Sequence, residues 1–136
     1  MDTKFEKYLL FIFFLLALGI TSICYASDYD LTGTWKGYLN SNLGYASITI
    51  ELEQYEDGTF TGSWKASSWG RGTAGGKLKG RSLKFKLNNR ASGCSGSFSG
   101  KGRLSDDGGQ IRFSFSGKDC GGKQSGNGKI YLQNDN

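Results

Sequence analysis

A hydroxyl–glycine–hydroxyl–aromatic pattern returns three times along the chain. It appears in Leu31-Thr32-Gly33-Thr34-Trp35, in Thr61-Gly62-Ser63-Trp64 and in Ser95-Gly96-Ser97-Phe98. Strict alternation puts the aromatic ring and the glycine on one face and Ser or Thr on the other, the period of a half-buried β-strand. The same alternation fills most of the chain after Ser27, and no helical period interrupts it. Such a chain is restricted to all-β folds of short strands. Glycine contributes 22 of 136 residues and proline none, while aromatics at 14% supply a core, so the composition argues against disorder.

The N-terminus reads differently. Lys4 and Lys7 precede an apolar run from Tyr8 to Ile23, and Cys24-Tyr25-Ala26 follows before Ser27-Asp28. A basic start, an apolar core and a small residue at the cut describe a signal peptide over residues 1–26, with a barrel domain over 27–136. The 16 apolar-run residues fall short of the ~20 that a spanning helix needs, so no membrane anchor is expected after cleavage. The expected location is the periplasm or the extracellular space. Cys94 and Cys120 remain in the exported part, and an even pair there reads as a disulfide. Two cysteines and no histidine leave too few ligands for a metal site, and no cofactor is expected.

The alternation divides the exported part into eight strands. The first covers Leu31–Asn40, with Trp35 and Leu39 inward. Tyr45–Tyr55 turns Ile48, Ile50 and Leu52 inward, and Glu56-Asp57-Gly58 makes a three-residue loop with Gly58 left-handed. Thr59–Lys65 follows, then a loop over residues 67–72. Thr73–Lys79 and Ser82–Asn88 pair about Gly80-Arg81, a Gly-X pair suited to a type II′ turn, which sets Gly76 opposite Phe85 and Leu78 opposite Leu83. Residues 89–95 read as a loop. Gly96–Ser105 and Gln110–Lys118 pair with Gly100 opposite Phe115 and Gly102 opposite Phe113. The last strand covers Gly126–Gln133. An eight-stranded antiparallel up-and-down β-barrel closes this set without leaving an edge; a two-sheet sandwich is the alternative. The sixth–seventh register puts Cys94 opposite Gly121, one place from Cys120, so a bulge at Gly96 or Gly117 is expected to bring the sulfurs together.

Leu31-Thr32-Gly33-Thr34-Trp35, followed by Asp57-Gly58-x-Phe60-Thr61-Gly62-x-Trp64, resembles the opening of the avidins. Gly33-x-Trp35 is also similar to the first-strand signature of the lipocalins. Both belong to the calycin group, and the resemblance implies an eight-stranded barrel with a small-ligand site in its mouth. Ser41 lies where the avidin pattern has a first-strand serine ligand. Gly37 stands where that pattern has asparagine, Trp64 where it has tyrosine and Ala66 where it has the next serine, so tight biotin binding is not expected.

No catalytic constellation appears. Asp106 and Asp107 are adjacent but occupy a turn, and no histidine stands ready to activate the many serines. Three binding candidates remain. The inward rings Trp35, Phe60, Trp64, Phe85, Phe98, Phe113 and Phe115 either form a cup for a small apolar ligand or fill the barrel, and the Gly–Phe pairs favour filling. Trp69 and Arg71 share a glycine-flanked loop, a combination common at binding hot spots.

Charge is the third and leading candidate. Ten basic residues and no acidic one lie between Gly58 and Ser105, whereas Asp28 to Asp57 holds six acidic residues and only Lys36. Lys77, Lys79, Lys84, Lys86, Lys101 and Arg103 share the outer parity of three neighbouring strands, with Lys77 facing Lys84. If Leu87 lies beside Phe98, Lys84 also faces Lys101. Like charges opposed across a ladder destabilise it. A face that tolerates this either solubilises the protein or meets an anionic partner: a glycan, a lipid head group or an acidic protein. Nucleic acid is not expected for an exported protein. The leading expectation is a non-catalytic binding protein that recognises an anionic envelope component; the alternatives are a carrier of a small apolar ligand in the aromatic interior and a structural or inhibitory protein-binding module acting through loops such as 66–73.

Overall fold

The computed structural model describes residues 29–91 and 93–134, so the expected signal segment lies outside the described residues. Eight antiparallel strands form one closed barrel in chain order: β1 (Gly33–Ser41), β2 (Gly44–Gln54), β3 (Thr59–Ala66), β4 (Gly70–Lys79), β5 (Ser82–Ala91), β6 (Cys94–Leu104), β7 (Gln110–Asp119) and β8 (Gly122–Leu132). β8 pairs with β1 from Trp35–Leu132 to Ser41–Gly126 and completes the ring. The barrel, not the sandwich, is the architecture.

The hairpin registers are those the sequence implies. Gly76 faces Phe85, Leu78 faces Leu83, Gly100 faces Phe115 and Gly102 faces Phe113. Leu87 lies beside Phe98, which also seats Lys84 opposite Lys101. Gly58 and Gly80 take positive φ, 85° and 62°, as their turns demand. Asp57 and Asp107 organise their loops. Asp57 accepts from the Thr59 hydroxyl at 2.6 Å, and Asp107 from the Ser105 hydroxyl at 2.7 Å. These bonds favour the ionised form and hold both carboxyls below the usual aspartate range. Asp106 pairs with Arg81 across the same end of the barrel. The Asp106–Asp107 pair thus has turn duties.

Strand limits differ at the end of the barrel that carries the 67–69 turn. β4 begins at Gly70, β5 runs to Ala91 and β8 begins at Gly122, all earlier or later than their polar, glycine-rich sequence suggests. Arg71 therefore lies on β4 opposite Lys65, not in a loop with Trp69. No bulge is needed for the disulfide. The β6–β7 ladder keeps its register through Ser97–Lys118, with Gly117 opposite Phe98, and stops there. Gly96 then lets the end of β7 cross close above β6: a Cβ at Gly96 would lie 2.6 Å from the Cα of Asp119. Cys120, in the turn after Asp119, bonds Cys94 with their Cα atoms 4.8 Å apart.

The interior is solid. Trp35 is fully buried, and its indole N–H donates to the Leu31 carbonyl at 2.9 Å. Leu31 and Leu104 cap one end of the core, and Gln54 ties residues 29–31 down by bonding both Leu31 N and the Tyr29 carbonyl. Phe85 meets Phe113 edge-on at 5.6 Å, and Phe98 meets Phe115 edge-on at 6.3 Å. Phe85 is half-buried; the other six expected interior aromatics are buried. The Trp64 indole nitrogen is buried without a hydrogen-bond partner among the described residues. Leaving that donor unpaired costs about 1–3 kcal/mol.

Candidate functional site

The voids left among the inward rings are small. One of about 40 Å³ lies between Ile50, Phe60, Phe85 and Phe113, and one of about 30 Å³ lies beneath Trp69. Each has room for about one water, whereas small-molecule sites occupy roughly 300–1,000 Å³. The aromatic cup is therefore a packed core. Trp69 is half-buried against that core and covers the barrel end. Beneath it, buried Asn89 donates to the Trp69 carbonyl at 3.3 Å, and Gln124 donates to Asp119 at 2.9 Å. Asp119 also accepts from Gly121 N at 2.8 Å. This polar plug closes the barrel end and leaves Trp69 as a cover, apart from Arg71.

The outer face of β4–β8 is shaped differently from the rest of the barrel. At Gly76, Gly100 and Gly126, which face inward in one cross-strand row with Phe85 and Phe115, an added Cβ would strike the neighbouring strand's backbone. Strands bend at such positions, because nothing holds the two backbones apart. Outside the bend lies an open depression of about 1180 Å³. Lys77, Lys84, Lys86 and Lys101 line it, together with the hydroxyl or amide residues Asn88, Ser99, Ser114, Ser116, Ser125 and Asn127. No carboxylate lines it.

The six lysines and arginines assigned to the outer parity from the sequence are exposed on this face. Lys77, Lys84 and Lys101 sit directly opposite one another on three successive strands. Lys79 and Arg103 lie outside the depression, one row nearer the Gly80 turn. Arg103 heads a second cationic row, facing Arg112, which faces Lys129 on β8. Arg112 was legible in the sequence, since the β6–β7 register already set it opposite Arg103. Lys129 was not, because the glycines at 121, 122, 126 and 128 leave the β8 register open. The one ion pair among the described residues, Arg81–Asp106, leaves the depression's lysines without a carboxylate partner. Asp57 lies close enough to Lys77 for that charge to contribute, after its Thr59 bonds, to its lowered pKa. The arrangement concentrates positive charge over a concave, hydroxyl-rich surface.

No protein-family model matches this chain, and no curated protein matches it. Among solved structures, a redesigned β-barrel is similar, with a TM-score of 0.58, 17% sequence identity and a match covering 80% of this chain and 100% of that one. At that identity the likeness concerns the fold alone: the two share a β-barrel.

Proposed function

We propose that the protein is an exported, non-catalytic binding module whose outer β4–β8 face recognises a polyanion of the cell envelope. One observation carries this reading. Lys77, Lys84 and Lys101 are held in direct opposition, and none of them forms an ion pair among the described residues, although Asp57 is near enough to Lys77 for its charge to be felt. Their mutual repulsion weakens the empty barrel and is released when an anion docks. The disulfide suits an oxidising compartment. The opening motif resembles calycins, whose ligands enter the barrel mouth. Here the packed interior and the covered end favour the outer wall instead.

Lys77→Glu combined with Lys84→Glu should weaken binding to an anionic polymer at low salt by at least about tenfold, ~1.4 kcal/mol. Glu51→Gln with Glu53→Gln, on the far side of β3, should leave it unchanged. Binding should also fall steeply with added salt, since exposed charges are screened over ~8 Å at physiological ionic strength. Isothermal titration across a salt series measures both. Unchanged affinity in the lysine variant would assign the lysines to solubility alone.

A further inference from the structure

Gly75 is out of place. It sits in the middle of β4 with outward parity, between Thr61 on β3 and Lys86 on β5, on the floor of the depression. Its inward neighbour Gly76 cannot carry a side chain, because a Cβ there would lie 2.9 Å from the Cα of Phe85 and 2.7 Å from the Phe60 ring. Gly72 is excluded in the same way by the backbone of Asn88. Gly75 is under no such restriction. A Cβ there would meet only the Phe60 carbonyl oxygen, at 3.6 Å, an ordinary contact, and its φ is not left-handed. Neither packing nor backbone geometry requires glycine at 75, yet glycine weakens a strand on a scale that spans about 1 kcal/mol. With packing and conformation excluded, the remaining use of a strand glycine is to let a ligand or another backbone approach closely.

We infer that this molecule is an acidic glycan chain lying across the strands, its sugar rings over Gly75 and the serine rows and its acidic groups on Lys77, Lys84 and Lys101. The inference rests on the polyanion reading above and narrows it to one chemistry. Four features favour a glycan. The surface is concave, so a flat bilayer spans its rim and misses its floor. The large exposed hydrophobic residues available to enter a membrane, Leu43, Tyr45, Tyr55 and Tyr131, all lie outside the depression. The floor also offers hydroxyls and amides, which donate and accept and so pair with sugar hydroxyls. The lysines repeat at the strand spacing of ~4.8 Å, close to the advance of one sugar ring in an extended chain.

Titrations of the purified protein with polygalacturonate, its fully methyl-esterified form, polyglutamate and phosphatidylglycerol vesicles test this at low salt. Polygalacturonate should bind most tightly and the neutral ester not at all. Gly75→Val should melt no lower than wild type, lose at least about tenfold in polygalacturonate affinity and keep its affinity for polyglutamate. Ser99→Ala with Ser116→Ala, a facing pair on β6 and β7, should discriminate between the two polymers in the same sense. If Gly75→Val binds polygalacturonate normally, or melts well below wild type, the glycan assignment falls. It also falls if polyglutamate or vesicles bind as tightly as polygalacturonate, while the polyanion reading stands. If no polyanion binds, both fall.

Discussion

Gly100→Val should cost the protein at least ~3 kcal/mol, as overpacking at its worst does, and lower the melting temperature by roughly 15 °C. Gly100 faces inward on β6 between Phe85 and Phe115. A Cβ there would strike both the Ser114 carbonyl and the Phe85 ring. The backbone contact leaves no rotamer to escape into, so β6 and β7 must part or the ring must leave the core. The comparison with Gly75→Val is internal: one glycine lies beneath a ring, the other beneath solvent. Thermal unfolding followed by near-ultraviolet circular dichroism separates them, and equal melting temperatures would show that the barrel tolerates bulk at both faces.

Loss of the Cys94–Cys120 bond should be of similar size. The bridge spans a sequence separation of 26 residues, worth about 3.5 kcal/mol on the chain-entropy account, again roughly 15 °C in a domain of this length. Cys94→Ser with Cys120→Ser should fold, melt lower and keep its low-salt polyanion affinity below the melt, because neither cysteine lines the depression. Wild-type protein spanning residues 27–136 should titrate no free thiol with a chromogenic disulfide reagent. Native protein with two reactive thiols, or a double variant that melts with wild type, would refute the bridge as a stabilising element.

Much of this was legible in the residues because side-chain parity in a strand is rigid. Once Gly80-Arg81 is taken as a two-residue turn, Lys77 must face Lys84, and the Gly–Phe pairs follow without further choice. What was not legible depends on backbone curvature. Gly70, Gly122 and Asn89 carry turn residues' names and yet continue strands, since ring closure supplies hydrogen-bond partners that local preference does not reveal. The bulge expected near the cysteines was unnecessary because the ladder ends before them. The depression itself was invisible: it lies over three inward glycines aligned across strands distant in sequence. The openness of Gly75 appears only once its neighbours' coordinates are known.

The pairing of β1 with β8 has a consequence for how the molecule can be held. Gln133 N donates to the Thr34 carbonyl at 2.8 Å, so the start of β1 and the finish of β8 leave the barrel at the same pole. The disulfide and Trp69 lie at the opposite pole. An affinity tag or surface tether added before Tyr29 or after Asn134 would therefore orient the protein the same way, standing on one pole with its cationic wall side-on. Immobilisation through either end should give equal access to a polymer in solution.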